Sequence, residues 1–318
     1  MNSSGHWGID IAANSVLEPL TGARLATAWT LDVPAVVVVL VLAVLYLRAA
    51  RRQEGWPPGR TAAFLGGLVT IVLVTCSFLA VYDTTLFWTR AVQNIVLLMV
   101  TPLLLALGAP ITLLLRAVPV AWADRLRRAG RGRAARILTF PLVVTAMLAA
   151  PPLLIYLSPL YGLTLESSIV DALVRVLLVL AGFGYFWTRI QLDPTPRGDS
   201  HLVSVWISLA EVILDGALGL VLWLGPLLAP AHYEAQHRTW GPEPRTDQII
   251  GAGVLWIGGD LAGLPFVGAL IVRWSRDDER RAREVDARLD EEADAGEAPT
   301  GGLWWESDPA LAERFRRR

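Results

Sequence analysis

Apolar residues gather in seven runs, each of about 20 residues, the length a helix needs to cross the hydrocarbon of a bilayer. They lie at roughly 31–49, 61–82, 86–108, 137–157, 168–189, 203–228 and 249–273. Pro102 in the third run and Pro151–Pro152 in the fourth are expected to kink their helices, since proline lacks a backbone donor and crowds the preceding turn. A short apolar segment, Pro110 to Val118, follows the break at Gly108–Pro110. The pattern predicts an all-α fold: a bundle of seven transmembrane helices.

Polar residues interrupt these runs at a telling spacing. Arg90 and Asn94, Asp171 and Arg175, and Glu211 and Asp215 are each four apart, and so share a helix face. Gln93 stands beside the first pair, and Asp260 lies in the seventh run. A charge in hydrocarbon is costly and normally turns inward to find a partner. These eight residues are therefore the candidate intramembrane polar centre. Structural pairing alone, Asp171 with Arg175 along one helix and Arg90 with an acid on a neighbour, is the competing explanation.

The loops predict the orientation. Arg48, Arg51, Arg52 and Arg60 follow the first run, and seven arginines from Arg116 to Arg136 join the third to the fourth. Arg189 and Arg197 close the fifth, and Arg273, Arg276, Arg280 and Arg281 the seventh. The alternate loops hold no arginine at 83–85 or 158–167, and only Arg238 and Arg245 at 229–248. The positive-inside rule then puts the N-terminus outside and the C-terminus in the cytoplasm. Three regions are expected: an extracytoplasmic arm (1–30), a membrane domain (31–273) and a charged cytoplasmic tail (274–318). The polar centre falls in the outer half of the bundle, with Asp215, Glu211 and Asp260 nearer mid-membrane.

Composition agrees with a membrane protein, at 54% hydrophobic residues and a mean hydropathy of +0.47. All the basic residues are arginine, and the absence of lysine excludes a retinal Schiff base. The four histidines, His6, His201, His232 and His237, fall outside the runs, which argues against haem held between helices. His6, His232 and His237 all lie on the outer side and are weak candidates for a metal. Cys76 and Met99 are soft copper(I) donors in kind, but single sulfurs in apolar helices usually serve packing. With one cysteine the chain has no internal disulfide. No cleaved signal peptide is expected in the first thirty residues, and no phosphate loop, serine triad or nucleic-acid motif is present. Residues 275–295 read as a solvated helix with Glu279–Arg283 and Glu284–Arg288 pairs. Beyond them, Trp304, Trp305 and the closing arginines read either as an unstructured tail or as a docking patch.

Three stretches resemble the bacterial cytochrome c oxidase assembly membrane proteins (CtaG-like). They are Gln93-Asn-Ile-Val-Leu-Leu-Met-Val-Thr-Pro running to Pro110, Gly182-Phe-Gly-Tyr-Phe-Trp187 running to Asp193-Pro194, and Asp247-Gln248 through Gly251, Gly253, Trp256 and Gly259-Asp260 to Arg273-Trp274. The resemblance spans about residues 30–290 and implies a multi-pass protein of the bacterial plasma membrane. Its partners would be haem-copper oxidase subunits and membrane lipid, and its task oxidase maturation through copper delivery. It also implies histidine pairs in the membrane, at the positions held here by Arg90 and Asn94, by Asp171 and Arg175, and by Asp215 before Gly219. Guanidinium has no lone pair to offer a metal. The chain therefore reads as a divergent member in which salt bridges replace a metal site. A proton-coupled or small-solute transporter using the charge network is the alternative, although no internal repeat supports it. Catalysis is not expected, because no activated nucleophile accompanies the acids.

Overall fold

The structure is a computed structural model that describes residues 17–130, 132–190, 213–214 and 216–294, with side chains only in part beyond 259. Every regular element among the described residues is helical. Contacts divide the chain into two compact units, Met1–Leu264 and Pro265–Arg318. All packing between helices described below lies within the first.

Helix α1 (Gly22–Thr27) precedes α2 (Val33–Arg51), α3 (Pro58–Cys76) and α4 (Phe78–Tyr82). Next come α5 (Phe87–Ile95), a π turn (Val96–Val100), α6 (Thr101–Leu107) and α7 (Pro110–Ala117). They are followed by α8 (Val120–Gly130), α9 (Arg133–Leu138), α10 (Pro141–Tyr156), α11 (Leu160–Glu166) and α12 (Ser168–Ile190). Helix α13 covers residues 216–224, α14 is Pro230–Ala235 and α15 is Pro244–Asp294.

Four stretches are long and apolar enough to cross a membrane: Val33–Arg51, Pro58–Tyr82, Phe87–Leu107 and Ser168–Ile190. A bent pair, Leu142–Tyr156 with Leu160–Glu166 at 70°, makes a fifth candidate if it is taken as one broken span. Of the sixth expected run, residues 203–212 and 215 lie outside the described residues; of the seventh, the side chains of 262–274 do.

Local chemistry explains three departures from the sequence reading. The second run is interrupted at Ser77, whose extended backbone ends α3 while its hydroxyl accepts from Leu79 N–H and caps α4. The carbonyl of Cys76 freed at that break accepts from Thr30 N–H, 2.8 Å away. The kink expected at Pro102 takes the form of a π turn, in which Thr101 N–H reaches back to Val96 C=O. Widening the ladder just ahead of a residue that cannot donate is how a helix accommodates it. In the fourth run, α10 continues through Pro151–Pro152 to Tyr156, and the 70° bend follows, before Leu160.

The core forms where α3, the π turn, α6, α10 and α12 meet. Small and hydroxyl residues allow the close approaches. Thr70 and Thr101 share a 2.7 Å hydroxyl contact, and Gly182 of α12 faces the carbonyl of Leu98 and the ring of Pro102. Helix α2 lies at the edge, exposing Val37, Val38, Leu40, Val41 and Leu45, as a lipid-facing helix does. It is held at its C-terminal end by Tyr46, which stacks on Phe64 at 4.0 Å and donates its hydroxyl to Gly108 C=O at 2.7 Å. Arg60 and Arg116 both sit over the Trp56 ring at that end. In the second unit, residues 275–294 are helical and Arg283 pairs with Glu279 at 3.4 Å, an exposed contact of little energetic weight.

Candidate functional site

At the opposite end of α2 from Trp56, five charged side chains converge from four segments. Asp32 caps α2 by accepting from Ala35 N–H at 3.0 Å, and its second carboxylate oxygen faces Arg175 at 3.3 Å. Asp83 stands in the turn between α4 and α5, with Arg175 at 3.0 Å and Arg90 at 3.5 Å. Arg90 of α5 also pairs with Asp171 of α12 and donates from Nε to Asp83 C=O at 3.2 Å. Asp171 reaches Arg175 one turn along α12 at 2.6 Å. The Arg90 side chain is only 4% exposed, Asp83 7% and Asp171 11%, whereas Arg175 and Asp32 lie on the open side at 19% and 28%.

Two guanidinium groups thus face three carboxylates. Burial raises the Asp83 carboxyl above the usual carboxylate range, and Arg90 and Arg175 oppose that rise. A proton on Asp83 would make the cluster neutral, which suits a buried site.

The remaining polar groups of α5 bind elsewhere. Gln93 donates to Val74 C=O at 3.0 Å, and Asn94 donates to the Tyr156 hydroxyl at 2.8 Å. Tyr156, Tyr161 and Phe87 lie against one another with ring centroids 5.2–5.6 Å apart. The Tyr161 hydroxyl meets that of Tyr233 from α14, and burial pushes the Tyr233 phenol up to about 12.

The start of α15 clasps two other helices. Asp247 accepts from the free N–H groups of Phe87 and Trp88 at 3.0 and 3.2 Å, so a distant residue caps α5, whose own N-cap, Leu86, makes no side-chain bond. Burial raises the Asp247 carboxyl, against those two donors and Arg238. Gln248 donates to the carbonyls of Leu222 and Pro226 and accepts from Leu228 N–H, which satisfies the end of α13. A Cβ at Gly251 would run into the Phe87 ring. The Asp247-Gln248…Gly251 motif is therefore a structural clasp for this end of the bundle.

Of the residues singled out in the sequence, Arg90, Asp171 and Arg175 meet in the network, and Gln93 and Asn94 lie beside it. Glu211, Asp215, His6 and His201 lie outside the described residues, as does the side chain of Asp260. His232 has its Nε2 within 2.8 Å of Thr84 C=O and 2.9 Å of Gln236 Nε2, while His237 adopts a left-handed backbone, φ 45°. Cys76 is buried at the end of α3, with its sulfur 3.6 Å from the Thr75 hydroxyl, and Met99 is buried in the π turn. The network adds Asp32 and Asp83, which the sequence reading did not single out. Their signal is positional: Asp32 stands at the start of the first run and Asp83 directly after the second, at the same end as Arg90 and Asp171.

The network does not fit a copper ion. Among the described residues no group of three or more His, Cys, Asp or Glu could hold a metal. The carboxylates in the network point at guanidinium groups, which repel a cation.

Comparison with known proteins places these features in context. The family described as cytochrome c oxidase caa3 assembly factor (Caa3_CtaG) matches residues 38–277. The chain is 26% identical over 285 residues to the uncharacterized protein Mb0105 of Mycobacterium bovis, covering 86% of this chain and 43% of that one. The uncharacterized protein MT0111 of Mycobacterium tuberculosis gives the same figures, and ML1998 of Mycobacterium leprae is 25% identical over 288 residues. The chain thus spans less than half the length of the curated relatives it matches. No solved structure matches it.

Proposed function

Because the chain belongs to the family of cytochrome c oxidase caa3 assembly factors, we propose that it supports oxidase maturation in the bacterial plasma membrane as a metal-free scaffold at its intramembrane centre. On this reading it has seven spans, with the N-terminus outside and the C-terminus in the cytoplasm. The arginine-free turn at 83–85 and the arginine-rich segment after Pro110 favour that orientation, since they lie at opposite ends of the described bundle. One observation carries the metal-free part: Arg90 and Arg175 fill the junction with Asp83 and Asp171. An ion network of this kind locks the relative position of α5 and α12 and keeps a shaped surface for oxidase subunits, the partners the family implies.

The role is tested in a strain lacking the chain. Oxidase activity and the haem absorbance of assembled oxidase in its membranes should fall, and should return when the chain is supplied. Unchanged oxidase levels would overturn the assembly role, and an altered solute flux with normal oxidase would favour a transporter. The metal-free centre has its own readout. After anaerobic copper(I) loading, the purified chain should hold no tight copper that depends on Asp83 or Asp171. Changing Arg90, Asn94, Asp171, Arg175 and Asp215 together to histidine should create copper binding. Tight copper in the native chain, lost with Asp83→Asn, would overturn the claim; copper lost with His232→Ala and His237→Ala would move the delivery site to the outer loop.

A further inference from the structure

Helix α8 has two faces and packs only lightly on the bundle. It packs against α7, and Ala123 is the residue it buries. At about 100° per residue, Trp122, Leu126 and Ala129 share one arc, and Asp124 lies opposite it. Arg125 borders the apolar arc, and Arg127 and Arg128 stand farther round on either side of the helix. Trp122 is 59% exposed and Leu126 41%, so the apolar arc is left uncovered by the other described residues.

The charge around this helix is one-sided. Residues 116–136 contain seven arginines and one acid, Asp124. Asp124 engages Arg127 at 3.0 Å, and the Arg125 guanidinium lies over the Trp122 ring at 5.2 Å. Arg128 donates to Asp124 C=O, a contact that leaves its charge unpaired. Further along the chain, Ile137, Phe140 and Leu142 also expose apolar side chains. An apolar arc bearing tryptophan and accompanied by arginine is how a helix lies in a membrane interface.

We propose that α8 is an interfacial helix that recognises the headgroups of anionic lipids, with Trp122 and Leu126 in the acyl boundary and Arg125, Arg127 and Arg128 at the phosphates. Charge complementarity selects this occupant. A neutral membrane would satisfy the apolar arc but leave six net positive charges without counterparts, whereas an anionic surface attracts each arginine within about a Debye length of it. The arginines also lack any acidic protein partner beyond Asp124 among the described residues.

Hydrogen exchange of the full chain in lipid nanodiscs tests it. Amides of residues 120–130 should exchange roughly tenfold more slowly in phosphatidylcholine mixed with phosphatidylglycerol than in phosphatidylcholine alone. Added salt should shrink the difference. The triple variant Arg125→Ser, Arg127→Ser, Arg128→Ser should abolish it while leaving exchange in α3 and α12 unchanged, which shows the bundle still folded. Equal exchange in the two nanodiscs would overturn the proposal. So would protection produced in phosphatidylcholine by inorganic phosphate, which would mark a free-phosphate site.

Discussion

Replacing Arg90 with alanine should destabilise the protein by about 3–5 kcal/mol, the usual effect of removing one member of a buried ion pair. Arg90 pairs with both Asp83 and Asp171 and also hydrogen-bonds the Asp83 carbonyl. Without it, two buried carboxylates would share Arg175 alone. The loss would come mainly from stranding those charges, so a double variant, Arg90→Met with Asp171→Leu, should be less damaging than the single change. Acidity supplies a second check. Asp83 has a folded pKa raised above its unfolded value, so it binds its proton more tightly when folded. Stability from such a group is present at low pH and is lost as pH rises through the folded pKa. The defect of Arg90→Ala should therefore be largest near neutral pH and shrink on acidification, and Asp83→Asn should flatten that dependence. Unfolding in detergent micelles across a pH series measures both. A small, pH-independent defect would show that the network is incidental.

The part of this site that is legible in the sequence is the part that helical periodicity encodes. Arg90, Asp171 and Arg175 stand out because hydrocarbon makes any charge conspicuous, and the four-residue step alone puts Asp171 beside Arg175. Asp32 and Asp83 enter three of the five ion pairs and are invisible to the same reasoning, because acids at the edges of apolar runs look like ordinary caps and turns. Asp32 is in fact a cap as well as an ion-pair partner. The apolar runs themselves locate four of the crossing helices and the bent pair, yet not their internal breaks. A serine capping a new helical turn and a proline absorbed by a π turn depend on how neighbours share freed backbone groups, which linear periodicity does not record. Asp247 is a similar case. Its place in the first turn of a long helix suggests an ordinary first-turn acid, whereas its partners are two amides some 160 residues away in sequence. The resemblance of the surrounding motif to a known family is legible without revealing why the motif is built as it is.

Substituting Gly182 with alanine should cost about 3 kcal/mol, the upper part of the range for forcing an extra methyl into a packed core. A Cβ there would collide with the Leu98 carbonyl and come within 2.7 Å of Pro102 Cγ. Neither neighbour can yield cheaply. Leu98 is the residue four before Pro102, so its carbonyl is the one that loses the usual helical donor. It sits in the π turn, whose backbone is already adjusted around that loss. Pro102 has a rigid ring. The close approach of α12 to this π turn thus requires a residue without a side chain, and it sets the height at which Asp171 and Arg175 meet Arg90, two to three turns along α12. Gly253→Ala is the matched control, since nothing lies within 4 Å of a Cβ there and added helix propensity should leave stability unchanged or slightly raised. If both glycine variants melt alike in detergent, the tight packing at the π turn carries no special weight. If Gly182→Ala alone melts early and also weakens the pH response of the distant ion network, the π turn and the network form one mechanical unit.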